Sequence, residues 1–304
     1  MSVVRIAYPQ DGSFPKERAG HVTMSRFGAL VGCDPWATPG QVYAEKLGVD
    51  FGDRNTVPMQ RGKLLEPVVA AMLAKERPDL KIWKANEYIF DPVLRCGASP
   101  DYYATDRDGR KGDIEIKTTS KRRFDRLWSD GPPVHYALQI AGTMWLDDAD
   151  FGLLVALIFD EFTFEIRVFD VPRHIGAEHR IRETVEKFWR DFDAGIPPKI
   201  DYERDGALIA LMYPADIEGK VVDLRGDNRM PELLAEHERL TAAIKEAETA
   251  KTVVANEIKM KIGDAESALV NGWRVTLKLQ TRKAHQVKES SFRVLKPTRE
   301  AKAA

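Results

Sequence analysis

The chain has 304 residues, 43% of them apolar, enough for one substantial core and an appendage. Its 46 basic and 47 acidic side chains nearly cancel, so net charge says nothing about a nucleic-acid partner and only the distribution of charge can. Cys33 and Cys96 lie far apart without CxxC spacing, which suits free thiols in a reducing cytoplasm and excludes a cysteine-built zinc or iron–sulfur site. The stretch from Met1 to Arg18 is mixed polar with Pro9 and Pro15, so neither secretion nor membrane anchoring is expected.

In chain order, the first strong period runs from Gln60 to about Arg77. There Leu65, Val68, Val69, Met72 and Leu73 share one helical face, and the helix ends before Pro78. Between Ile82 and Lys117 the pattern turns to short alternating runs, Glu87 to Phe90 and Asp113 to Lys117, with Asp108-Gly109 as a hairpin turn. A helix is expected at about Val134 to Leu146. The longest apolar run, Phe151 to Phe159, is too short for a bilayer and suits a strand buried on both faces, with Thr163 to Phe169 as its neighbour. A further amphipathic helix spans about Ala177 to Ala194 and stops at Gly195, Pro197 and Pro198.

Beyond Arg229 the composition changes. Leu233, Leu240, Ala247 and Val254 recur every seven residues, with His237, Ile244 and Ile258 on the adjoining line, so a long helix packs either on a partner helix or on its own core. After Asn271-Gly272, a strand puts Trp273, Val275, Leu277 and Leu279 on a face expected to dock, and Arg274, Thr276, Lys278 and Gln280 on the other. Residues 273–304 carry nine Lys or Arg against two Glu; such a tail tracks phosphates or is simply solvated. The expected organisation is a mixed α/β core over 1–226 and an extension of long helix and β-hairpin over 227–304.

Chemistry concentrates at Ser99-Pro100-Asp101 and Glu115-Ile116-Lys117. Residues two apart in a strand share a face, so Glu115 and Lys117 project together while Ile114 and Ile116 point to the core. An aspartate delivered across the Asp108-Gly109 hairpin adds a hard oxygen ligand for Mg²⁺ or Mn²⁺. Such ions activate water and stabilise charge in phosphodiester hydrolysis, and a neighbouring lysine can orient or deprotonate that water. Glu66, at the edge of its helix's apolar stripe, is a candidate third carboxylate. The bland alternatives are an exposed Glu and Lys on one strand face and a helix-edge glutamate with its stem on the core.

Together, Pro100-Asp101 and Glu115-Ile116-Lys117 resemble the PD-(D/E)xK nuclease signature. Arg61-Gly62-Lys63-Leu64-Leu65-Glu66-Pro67, Tyr136-Ala137-Leu138-Gln139 and the seven-residue spacing of Arg18 and Ser25 resemble segments of the YqaJ-like viral recombinase family, which includes the lambda-type phage exonucleases. The long charged helix and Phe292-Arg293-Val294-Leu295-Lys296-Pro297 resemble the C-terminal extension of its phage members. This resemblance implies a restriction-endonuclease-like core with a mixed central sheet flanked by helices. It also implies two divalent ions, Mg²⁺ or Mn²⁺, held by Asp101, Glu115, the Ile116 carbonyl and Glu66. Lys117 would act on the water, Gln139 would orient the site, and Arg18, Ser25 and Ser99 would bind a 5′ phosphate. The implied activity is 5′ to 3′ resection of double-stranded DNA ends for phage-type recombination by single-strand annealing. The implied setting is a homotrimer in the cytoplasm of a bacterial host, working with a RecT-like or lambda beta-like annealing protein. In two respects the chain departs from lambda-type members: the loop from Asp34 to Gly40 lacks an arginine offered to DNA there, and the C-terminal extension is additional.

The rival readings are a structure-specific endonuclease on the same fold and a non-catalytic DNA-binding scaffold for recombination. A CRISPR-associated exonuclease would want four cysteines. His21, His135, His174, His179, His237 and His285 show no paired ligand spacing, and His135 reads as a cap or surface residue.

Overall fold

The computed structural model describes residues 2–9, 15–49, 51, 56–281, 289 and 291–297; His285 and the tail positions 282–288 and 298–304 lie outside the described residues. The chain divides into two compact units, Met1–Met212 and Tyr213–Ala304, so the boundary expected at 226 lies inside the second.

The first unit opens with β1 (Val4–Ala7), β2 (Val22–Thr23), α1 (Met24–Leu30), α2 (Pro39–Lys46) and α3 (Val57–Glu76). Strands β3 (Lys81–Lys84), β4 (Glu87–Asp91), β5 (Cys96–Ala98), β6 (Tyr102–Thr105) and β7 (Lys111–Ser120) follow. Then come α4 (Lys121–Leu127), α5 (Val134–Asp147), β8 (Phe151–Phe159), β9 (Phe164–Pro172), α6 (Ile175–Asp193) and α7 (Gly206–Met212). The fold is mixed α/β, with mixed sheets flanked by helices.

A five-stranded sheet has the order β3-β6-β7-β8-β9, in which only β7 and β8 run parallel. A parallel neighbour cannot be reached by a hairpin, so the chain crosses over through α4 and α5 and lays α5 against β7. A smaller four-stranded sheet has the order β1-β4-β5-β2, with β2 parallel to β5. In this second sheet β4 falls on the alternating run Glu87 to Phe90, whereas β1 and β2 have no sequence signature, being short and drawing partners from far along the chain, as in Val4 opposite Phe90.

As its apolar run requires, β8 is buried on both faces. Leu153, Val155 and Leu157 pack with Val69 and Leu73 of α3 and with Ile114 and Ile116 of β7. On the other face, Leu154 and Ala156 meet Trp128, and Gly152 leaves room for Met144 and Ile140 of α5. The β6–β7 hairpin turns at Gly109, whose φ of +80° favours glycine, and the Asp106 carboxylate accepts the Asp108 and Arg110 backbone N–H groups.

In the second unit, α8 (Met230–Ile262) precedes the hairpin of β10 (Ser267–Val270) and β11 (Trp273–Thr276). No α8 residue is buried, and its heptad positions Leu233, Leu240, Ile244 and Val254 face solvent. On the apolar face of β11, Trp273 is 73% exposed and Val275 is half-buried. Among the described residues, no helix is long and apolar enough to cross a membrane.

One close approach fixes the strand that leads into Ser99. A Cβ on Gly97 would run into the Tyr88 ring and hydroxyl and stand 2.8 Å from the Ile89 carbonyl oxygen. Gly97→Ala is expected to destabilise the protein by about 1–3 kcal/mol, the range for overpacking a tight core. Urea unfolding checks this, and an unchanged midpoint would show that the β4–β5 contact is looser than its geometry.

Candidate active site

The site is built where β6 stops and β7 continues. The last β6–β7 pair is Tyr102 opposite Ile114, so the next outward-facing N–H on that edge of β7, from Ile116, has no strand partner. Asp101, one residue before β6, supplies one: its Oδ2 accepts the Ile116 N–H at 2.7 Å. An extended residue points its N–H and C=O to the same edge, which leaves the Ile116 carbonyl beside Asp101.

On the α5 side of β7, Glu115 is buried, with 4% of its surface exposed. Lys117 Nζ and Gln139 Nε2 both donate to Glu115 Oε1, each at 2.6 Å, and Lys117 Nζ also donates to Gln139 Oε1 at 3.1 Å. The Tyr136 ring lies 4.8 Å from Lys117 Nζ, a cation–π contact that caps the ammonium. Burial alone would lower the Lys117 pKa, but Glu115 and Asp101 outweigh it and the net shift is upward.

Glu66 reaches the same place from α3 and is paired with Lys84 at the end of β3, whose ammonium also lies 4.7 Å from the Tyr102 ring. Burial, then the charges of Glu115 and Glu66, push the Asp101 carboxyl well above the ordinary carboxylate range; Lys117 and the Ile116 N–H oppose this only in part.

Asp101, Glu115, Glu66 and Gln139 line one open cavity of about 330 Å³, and Arg18, Ser25, Ser99, Tyr8 and Lys63 line it too. Arg18 enters from a 3₁₀ turn over Lys16–Gly20, and burial lowers its pKa. Ser25, exposed in the first turn of α1, is 3.0 Å from the Thr23 hydroxyl. Ser99 leaves β5 and lines the cavity beside Tyr8, whose phenol burial pushes above its ordinary pKa. The structure thus brings every nominated side chain to one place, with Lys117 bonded to residues of the cavity wall. His135 is neither cap nor simple surface residue: its ring packs edge-on against Trp36.

Lys84, Lys63, Tyr8 and Tyr136 join the site without having been nominated. Tyr136 is legible afterwards, because three residues before Gln139 puts it on the same side of α5. Lys84 is not, since its place depends on β3 pairing with β6.

The donor set suits a hard divalent cation. Three carboxylates crowd one cavity, and burial, with their mutual repulsion added, raises the Asp101 carboxyl. As placed, no three His, Cys, Asp or Glu side chains among the described residues form a group that could hold a metal ion: Lys84 is paired with Glu66, and Lys117 with Glu115.

Because the native Asp101 carboxyl is raised, the folded state holds its proton more tightly than the unfolded chain does. Stability of the metal-free protein therefore falls as pH rises from the ordinary carboxylate range through the native value. In chelator, Asp101→Asn is expected to melt above wild type at neutral pH, with the difference closing below about 4, the ordinary aspartate range. Thermal melts across pH check this; a variant less stable than wild type at pH 8 would contradict it.

Residues 13–150 match the YqaJ-like viral recombinase domain. No curated protein sequence matches the chain. Among solved structures, the chain is similar to the alkaline exonuclease LHK-Exo from Laribacter hongkongensis, with 22% identity, a TM-score of 0.48, and coverage of 64% of this chain and 96% of that one. It is also similar to a phage related exonuclease from Haemophilus somnus (14% identity, TM-score 0.41, coverage 58% and 96%). A third is the Shutoff and Exonuclease Protein of Kaposi's sarcoma-associated herpesvirus (13% identity, TM-score 0.37, coverage 62% and 71%).

Proposed function

We propose, from the match of residues 13–150 to the YqaJ-like viral recombinase domain, that the protein is a metal-dependent exonuclease that resects linear double-stranded DNA from its 5′ ends. The observation that carries this reading is that a single cavity joins a carboxylate cluster to an arginine and two serines.

Asp101, Glu115, Glu66 and the Ile116 carbonyl would hold one or two Mg²⁺ or Mn²⁺ ions. Such ions, when bound, lower the pKa of a water and offset charge on the attacked phosphate. Lys117, its pKa raised, stays an ammonium and so serves as a donor and a positive charge beside the scissile phosphate. Gln139 holds Lys117 and Glu115 in register through its two amide atoms.

Arg18 would bind the terminal 5′ phosphate, since a guanidinium donates paired hydrogen bonds to phosphate oxygens. The Ser25 and Ser99 hydroxyls would fill further acceptor sites. Around this core we place a homotrimer in the bacterial cytoplasm, a phage or prophage setting, and an annealing protein of the RecT-like or lambda beta-like kind that receives the exposed strand.

One experiment tests the reading: linear duplexes with 5′-phosphate or 5′-hydroxyl ends, and a closed circle, each incubated with Mg²⁺ and pure protein. Wild type is expected to spare the circle and to degrade the phosphorylated duplex fastest. Arg18→Ala should level the two ends, a loss of about 10- to 100-fold in end engagement. Lys117→Ala should cut the rate about 10²- to 10³-fold, as loss of one electrostatic group does. Equal attack on the circle would favour the endonuclease, and binding without cleavage the scaffold.

A further inference from the structure

Outside the cavity, an exposed aromatic side chain is held rigidly beside the Lys117 side of the site. Trp36 is 52% exposed, yet its backbone is fixed at every turn. Asp34 Oδ1 accepts the N–H groups of Trp36 and Ala37 at 2.6 and 3.1 Å. Arg204 Nη2 donates to the Asp34 and Ala37 carbonyls at 2.8 and 2.9 Å. Asp34 itself is buried, so this is a preformed loop rather than a solvated one.

The Trp36 ring is built into a chain of contacts that leads to Lys117. Its edge meets His135 with ring centroids 5.2 Å apart, and Tyr136 lies 6.1 Å away. Tyr136 is the ring that caps Lys117. The Arg123 guanidinium stands over the Trp36 ring, 4.9 Å from its centroid. Arg123 belongs to α4, which leaves the end of β7 as Lys-Arg-Arg-Phe-Asp-Arg-Leu and exposes Arg122, Arg123 and Arg126. His135 Nε2 is shut off from solvent with no hydrogen-bond partner, so the ring acts here as packing for the tryptophan.

An exposed indole on a hydrogen-bonded loop, with an arginine against its ring and further arginines on the same helix, matches what unpaired nucleic acid requires: an aromatic face for a base and guanidinium groups for the adjoining phosphates. Apolar burial alone would not put Trp36 at 52% exposure beside a basic helix. Resting on the nuclease reading above, we propose that Trp36, with Arg123, is a stacking platform for one unpaired nucleobase of the DNA held at the catalytic cavity. The platform takes any base, because every base offers a π face, and the arginines of α4 steer the backbone past it.

The test is binding by fluorescence anisotropy in chelator, with full-length protein and a labelled partial duplex carrying a single-stranded end. Single tetrahydrofuran abasic sites are moved one position at a time along each strand. Trp36→Ala should weaken binding of intact DNA by about 5- to 150-fold, the cost of one base–aromatic stack, and Trp36→Phe should retain most of the affinity. At one abasic position, wild type should show the same loss, and there Trp36→Ala should cost nothing further. Unchanged affinity of Trp36→Ala would overturn the platform, and so would a Trp36→Ala loss that persists at every abasic position. Wild type that binds no DNA at all would remove the nuclease reading itself, an outcome distinct from either.

Discussion

The bond from the Ile116 N–H to Asp101 is the constraint from which the rest of the site follows. A strand that outlasts its neighbour leaves a backbone donor unmet at the sheet edge, and an unmet buried donor costs about 1–3 kcal/mol. Here a carboxylate meets it. That choice brings Asp101 within reach of Glu115 and Glu66, and burial of the group then makes their mutual repulsion count. The lysines answer the same electrostatic problem, Lys117 at Glu115 and Lys84 at Glu66.

The parallel pairing of β7 and β8 adds the second half of the site. It forces a crossover, and the crossover delivers α5 with Gln139 and Tyr136 to the Glu115 side of β7. The same crossover begins with the basic α4 and so sets Arg123 over Trp36. Core packing on the opposite face, Ile114 and Ile116 against Val69 and Leu73, keeps Glu115 and Lys117 from rotating away from α5. Stability of the sheet and geometry of the site are therefore set by one strand.

Much of this was legible in the amino-acid pattern, for identifiable reasons. β8 spans the apolar run from Phe151 to Phe159, because a strand buried on both faces has no polar interruptions to blur its ends. Glu115 and Lys117 share a face because a strand has a period of two. The small sheet was legible only at β4: β2 has two residues, and Val4 of β1 finds its partner Phe90 more than eighty positions away. The same holds for Lys84, which reaches Glu66 only through the pairing of β3 with β6. Period alone also fails to say what a face packs against. The heptad line of α8 and the Trp273 side of β11 are regular in sequence, yet they remain exposed here.

The central claim is that the crowded carboxylates form a place for a divalent cation. Calorimetric titration of metal-free protein with Mn²⁺ tests it most directly, since it needs neither DNA nor turnover. The account predicts saturable binding by wild type that is lost when Asp101→Asn and Glu115→Gln are combined. Wild type that takes up no Mn²⁺, or a double variant that binds it as wild type does, would contradict it.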